Sequence, residues 1–250
     1  MKDIKAIGFD LFNTLIYANP HTLDEALKRL VSSLIKDDIN LDPEIFKSAH
    51  EKAAAQHIKQ ARQSGRETHN RFWISTALQD CGYSIDPDDP IIARAVEKYF
   101  SAFPENCNLI PDTLEMLELL KNHYHLGLLS NFTHASAALD IINTLKLRPF
   151  FQILLISGDL GWRKPHPNVF KELKERMGFR GEEMIYIGDD PEPDIIGAKT
   201  AGINPVWMTF IRDNPISTSP RLLPTSSIQN DQEVPSFSSW KEFLAYLGFD

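Results

Sequence analysis

Short apolar runs with no polar alternation recur along the chain, and each ends abruptly in polar residues. Ala6-Ile7-Gly8-Phe9 runs into Asp10, with Thr14 just beyond. Leu126-Gly127-Leu128-Leu129 runs into Ser130-Asn131, and Ile153-Leu154-Leu155-Ile156 into Ser157-Gly158, with Lys164 in the loop that follows. Met184-Ile185-Tyr186-Ile187 runs into Gly188-Asp189-Asp190, with Asp194 after it. Uninterrupted runs of this length suit strands covered on both faces. Ligands of open parallel sheets sit outside the carboxyl ends of the strands. If the four strands are parallel, their polar ends meet at one edge. Pro205-Val206-Trp207-Met208 predicts a further strand.

The intervening segments have helical spacing. Thr22 precedes Leu23, Ala26, Leu27, Leu30, Val31 and Leu34, and Asp42-Pro43 opens a second stretch that breaks near Ser64-Gly65. A third runs from His69 to Asp80, and a fourth starts at Asp88-Asp89-Pro90, where Pro suits a first helical turn. Residues 18–103 are thus predicted as helices only. From Pro111 onward helices alternate with strands: one from Pro111, then Ala135 to Leu145, Pro167 to Met177 and Ile195 to Ala201. This alternation predicts an α/β fold, a Rossmann-like parallel sheet core with helices on both faces. An all-helical module is inserted after the first strand. The expected division is 1–17 and 104–250 for the α/β core and 18–103 for the insertion, with junctions near Tyr17 to Pro20 and Ala102 to Asn108. Asp213 to Pro235, rich in Ser, Thr, Pro and Asn, reads as an exposed loop, and Ser238 to Leu247 as a closing helix.

Composition adds exclusions. Of the 250 residues, 42% are hydrophobic and 24% charged, ordinary for a soluble globular protein. A net charge of -8 argues against a nucleic-acid-binding surface. Two cysteines, Cys81 and Cys107, suggest neither a disulfide framework nor a zinc site. The N-terminus lacks a secretion pattern, and no apolar run approaches the roughly 18 residues that span a bilayer. The expectation is a cytoplasmic protein that acts on a small molecule, without nucleic-acid or membrane partners. Monomer and homodimer are equally open.

A carboxylate at the end of a buried strand is costly unless it is used or paired. Asp10 is therefore a candidate nucleophile, with a turn cap as the plainer alternative. Asp189 and Asp194 are candidates to join it around a hard cation such as magnesium, because clustered acids repel one another without one. Asp190 and Glu192 read as solvated charges. Lys164, in Arg163-Lys164-Pro165-His166-Pro167, is placed to neutralise a transferring group, and Ser130 with the Asn131 backbone N–H to hydrogen-bond it.

As an ordered set, Asp10-x-Phe-x-Thr14, Ser130-Asn131, Lys164-Pro-x-Pro and Gly188-Asp189-x4-Asp194 resembles the haloacid dehalogenase superfamily of hydrolases. The resemblance covers about residues 4 to 247. The helical insertion is similar to that superfamily's small helical cap, and Asp194-Ile-Ile-Gly197-Ala198-Lys-Thr-Ala201-Gly202 is typical of the same group. The resemblance implies a hydrolase with a covalent aspartyl intermediate on Asp10. It implies that Thr14 orients the loop, that Ser130, Asn131 and Lys164 bind the transferring group, and that Mg2+ is held by Asp10, the Phe12 backbone carbonyl and Asp189, supported by Asp194.

One position departs from the pattern. Phosphatases of this superfamily usually carry an acid/base Asp two residues after the nucleophile, and this chain has Phe12. Loss of a positioned acid/base costs roughly 10²–10⁴-fold in rate. Two enzyme readings follow. Magnesium-dependent cleavage of a phosphoryl group keeps the acidic cluster. Metal-independent 2-haloacid dehalogenation explains the aromatic residue, since halide leaves without a proton, and makes Arg29 a candidate carboxylate clamp. A cap lysine (Lys47, Lys52 or Lys59) could supply chemistry instead, and the Ser64-Gly65-Arg66 turn could face the substrate. A regulatory protein on a weakened hydrolase scaffold is the remaining alternative. The acidic cluster weighs more than the missing acid, because it is a direct electrostatic cost, and it favours the phosphoryl reading.

Overall fold

The computed structural model describes residues 3–214 and 234–249; the loop expected from Asp213 to Pro235 lies, but for its ends, outside the described residues. The strands described are β1 (Ala6–Phe9), β2 (Ile16–Ala18), β3 (Cys107–Leu109), β4 (His125–Ser130), β5 (Ile153–Ile156), β6 (Met184–Gly188), β7 (Asn204–Met208) and β8 (Ser236–Phe237). Six form one sheet in the order β5-β4-β1-β6-β7-β8, and every neighbouring pair is parallel. The apolar runs lack alternation because both faces are covered. Ile7 and Phe9 join one apolar cluster with Leu117, Ile141 and Phe243, whereas Ala6 joins another with Phe170, Leu173 and Tyr186. From β1 the chain moves outward to β4 and β5, then returns to β6 on the other side. The sheet's switch point therefore falls between β1 and β6, the place where such sheets bind ligands.

The segment between β2 and β3 is helical: α1 (Thr22–Lys36), α2 (Pro43–Ser64), α3 (Asn70–Asp80), α4 (Pro90–Phe100) and a short turn at Phe103–Asn106. The expected starts have physical caps. Asp42 Oδ1 accepts from the Glu44 and Ile45 N–H groups at 2.9 and 3.0 Å, ahead of Pro43. Asp89 Oδ1 accepts from the Ile91 N–H at 2.8 Å, ahead of Pro90. Each satisfies donors that a helix start leaves open.

Some elements differ from the sequence expectation. The chain enters and leaves the helical segment side by side, through an antiparallel ribbon in which Tyr17 faces Asn108. The Asn19 N–H donates to the Asn106 carbonyl at 2.8 Å, and Asn108 Nδ2 to Asn19 Oδ1 at 2.9 Å. Three-residue strands are too short to show a period. Where one helix over Ile195–Ala201 was expected, a π-helical turn, Pro191–Ile196, precedes a short helix, Gly197–Thr200. Such turns are frequent at functional sites.

Candidate active site

Asp10 follows β1 directly, Ser130 ends β4, and Asp189 follows β6, so the parallel register brings all three to one edge. The Asp10 N–H donates to the Ile187 carbonyl at 2.8 Å, which ties the residue to the neighbouring strand. A tight turn follows, closed by the Asn13 N–H on the Ile16 carbonyl at 2.6 Å. Asn13 sits at φ 60°, a left-handed conformation that Asn tolerates better than most residues.

Lys164 lies in the loop after β5, buried at 3% exposure. Its Nζ donates to Asp10 Oδ1 at 2.7 Å, Asp194 Oδ1 at 2.7 Å and the Tyr186 hydroxyl at 2.8 Å. All three ammonium donors are thus used. Tyr186 passes its own proton to the Leu129 carbonyl at 2.8 Å. The Asn131 side chain clasps the lysine backbone, its Nδ2 donating to the Lys164 carbonyl at 3.0 Å and its Oδ1 accepting from the Lys164 N–H at 2.8 Å. Asp194 is 1% exposed, and its Oδ2 accepts from the Asp190 N–H at 3.0 Å. Its side chain packs directly on Gly188, where any Cβ would collide with the carboxylate. This close approach is the physical reason for glycine in Gly188-Asp189.

Burial raises the Asp10 carboxyl to about 6, with Asp194 adding to the rise and Lys164 opposing it. Burial pulls Lys164 down, but Asp10 and then Asp194 outweigh it and hold the ammonium well above its ordinary range. One lysine therefore serves two buried carboxylates. Asp189 adds a third acid, and Asp10, Asp189 and Asp194 each offer an oxygen within 4.8 Å of the others. Among the described residues no hydrogen bond ends on the Phe12 carbonyl. This oxygen-only, net negative donor set fits a hard divalent cation such as magnesium.

The edge opens into a cavity of about 300 Å³. Its floor holds Asp10, Ser130, Asn131, Lys164, Asp189 and Asp194. Asp190 and Glu192, expected as solvated charges, also line it. Phe12 and Phe132 form part of its wall, stacked with ring centroids 5.2 Å apart and 5° between planes. The helical segment supplies Ile58, Arg62, Glu67, Asn70, Trp73, Tyr99 and Phe100. Trp73, Tyr99 and Phe100 stand at helical spacing in the sequence, and nothing in that pattern separates a core aromatic from one that borders a cavity. Tyr186 was likewise hidden within an apolar strand.

Other candidates lie elsewhere. Thr14 is fully buried in the turn that follows Asp10, and its Oγ1 has no hydrogen-bond partner among the described residues. Arg29 is committed to Glu25 at 2.8 Å, Glu105 at 2.7 Å and the Ser101 carbonyl at 2.8 Å, and does not line the cavity. Lys47 pairs with Asp24 and Lys52 with Asp80, while Lys59 is exposed. The Ser64-Gly65-Arg66 turn docks on the core. Gly65, at φ 71°, lies so close to His166 that a Cβ would stand 2.5 Å from its ring. Arg66 stacks over Trp162 at 3.6 Å. Glu67 follows, accepting from Ser157 Oγ at 2.5 Å and from Arg163 at 3.1 Å.

Known proteins are similar to this chain in sequence and in fold. The chain is 26% identical to a glyceraldehyde 3-phosphate phosphatase of Methanopyrus kandleri, over 94% of this chain and 92% of that protein. Among solved structures, the putative HAD-hydrolase YfnB of Bacillus subtilis, bound to magnesium, is similar with a TM-score of 0.64 at 22% identity, covering 99% of this chain and all of that one. A 2-haloacid dehalogenase of Pseudomonas syringae pv. Tomato DC3000 is similar with a TM-score of 0.67 at 22% identity, covering 98% of both. A family model described as haloacid dehalogenase-like hydrolase matches residues 4–202. The parallel sheet, the acidic edge and this match agree, and the chain belongs to the haloacid dehalogenase-like hydrolases.

Proposed function

We propose that this hydrolase cleaves a phosphoryl group from a small molecule with magnesium, through a covalent aspartyl phosphate on Asp10, and that residues 18–103 act as a cap over a core of 1–17 and 104–250. The observation that carries the reading is the buried Asp10–Lys164–Asp194 cluster, with Asp189 beside it, on the floor of the cavity. Magnesium, held by Asp10, Asp189, Asp194 and the Phe12 carbonyl, would offset the charge of the phosphoryl oxygens. Asp10 attacks phosphorus through a carboxylate oxygen. Lys164 holds that carboxylate in place and ionised, and offers positive charge to the transferring group. Ser130 and the Asn131 backbone add hydrogen bonds, while the Asn131 side chain fixes the lysine loop. Thr14 supports the turn that carries Asp10. The 26% identity to a phosphatase over almost the whole chain supports phosphoryl rather than halide chemistry.

Phe12 favours a second reading, metal-independent 2-haloacid dehalogenation. That reaction needs a clamp for the substrate carboxylate, and Arg29 is already paired outside the cavity. A paired assay separates the two. Phosphate release from acetyl phosphate that chelator abolishes supports the first reading; halide release from 2-chloropropionate that chelator leaves intact replaces it with the second.

A further inference from the structure

We propose that the substrate is an aryl phosphate, a monoester whose leaving group is a flat, apolar aromatic oxide. The inference rests on the phosphohydrolase reading and adds the substrate class. Two independent features point to it. The first is the position two residues after the nucleophile, where Phe12 cannot give a proton to a departing oxygen. Its ring is stacked on Phe132, which packs in turn on Phe100 with centroids 5.4 Å apart. At that position a leaving group would thus meet an aromatic ring instead of an acid. Alkoxide leaves poorly without a proton. A phenolate, whose conjugate acid ionises near pH 10 or below, leaves without one.

The second feature is the wall contributed by the helices. Ile58, Trp73, Tyr99 and Phe100 border the cavity, and Trp73, Tyr99 and Phe100 are each at most 4% exposed, so the surface is fixed in place. A volume of about 300 Å³ suits one or two fused rings. A polyol phosphate would bring several hydroxyls against this wall, and each one left unpaired there is penalised. The helices also bring polar residues to the cavity: Glu67 pairs with Arg163 of the core at 3.1 Å, Asn70 is hydrogen-bonded to Thr133, and Arg62 borders the apolar side chains.

In the first step a carboxylate oxygen of Asp10 bonds to phosphorus and the P–O(aryl) bond breaks. Its electron pair leaves with the aryl oxide, which takes a proton from water, and the hydroxide left behind is neutralised by one proton of the dihydrogen phosphate released in the second step. In the second step a water oxygen bonds to phosphorus, the bond to Asp10 breaks, and the carboxylate returns as dihydrogen phosphate departs with both water protons.

The test compares kcat/KM, with magnesium, for acetyl phosphate, glyceraldehyde 3-phosphate, phenyl phosphate and 1-naphthyl phosphate. Acetyl phosphate reports the chemistry alone, since it leaves easily and carries no ring. The expected result is turnover of acetyl phosphate, with both aryl esters exceeding glyceraldehyde 3-phosphate by at least about 100-fold. Trp73→Leu narrows the 1-naphthyl to acetyl ratio by about 10-fold. Should that variant fail to fold, Phe12→Asp serves instead, raising glyceraldehyde 3-phosphate hydrolysis by about 10-fold or more. Turnover of acetyl phosphate with glyceraldehyde 3-phosphate equal to or better than the aryl esters overturns the substrate class and leaves the phosphohydrolase reading standing. No turnover of acetyl phosphate overturns that reading and the substrate class with it.

Discussion

At the scale of single residues, the site is an electrostatic balance around Lys164. Removing the lysine leaves Asp10 and Asp194 buried and uncompensated. Lys164→Met is expected to destabilise the protein by about 3–5 kcal/mol in urea unfolding without metal, with part of the loss recovered by added magnesium. Asp10→Asn is expected to abolish turnover while urea unfolding remains cooperative, because Lys164 keeps Asp194 and Tyr186 as partners. Retained activity in that variant would remove Asp10 as nucleophile. Much of this balance was legible in the sequence. Asp10, Ser130, Lys164, Asp189 and Asp194 all stand at strand ends or in the loops that follow them, and the sheet brings them to one edge. The division of labour was not legible. Asn131 uses its side chain on the lysine backbone, and Tyr186, inside an apolar run, contacts the same ammonium; neither interaction leaves a trace in spacing.

At the scale of elements, the helical segment carries a pH-sensitive core. His50 on α2 is buried among Phe46, Trp73 and Tyr99, and among the described residues its Nε2 has no hydrogen-bond partner. Burial lowers its imidazole from 6.5 to about 4. Below pH 6.5 the unfolded chain takes up this proton first, so the contribution is fully present above 6.5 and lost as pH falls toward 4. Between pH 7 and pH 4.5 the loss amounts to about 2–3 kcal/mol. Unfolding free energies from urea titrations at pH 7 and pH 4.5 are expected to converge in His50→Leu by about that amount relative to wild type; an unchanged gap would contradict the assignment. The turn between α2 and α3 is a second element with a definite task. Glu67 ties it to Ser157 and Arg163 on the core. Glu67→Ala is expected to cost about 1–3 kcal/mol and to speed proteolysis within residues 64–70. Helix starts were readable because Asp-Pro pairs cap them. The β2–β3 ribbon and the π-helical turn were not, since each is shorter than the period that would reveal it.

At the scale of the whole molecule, a parallel sheet carries the acidic edge and a helical segment supplies part of the wall of the cavity above it. The sheet was legible because doubly covered strands must be apolar throughout, and the charges that interrupt them had to stand at the ends. The cavity was not, because its aromatic wall forms only when α2, α3 and α4 are brought over the sheet edge, and the chain codes for such a wall in the same way as for a core. Among the described residues no helix is long and apolar enough to cross a membrane. Magnesium is expected to raise the melting temperature, since an ion bound only by the folded chain stabilises it by mass action. The same titration on Asp189→Asn is expected to show a smaller rise. The most direct test is to quench the enzyme in acid during turnover of phosphate-labelled acetyl phosphate and locate the label. The expected result is label on Asp10, released by hydroxylamine, dependent on magnesium and absent from Asp10→Asn. Continued phosphate release with no label, or with label on another residue, would contradict it.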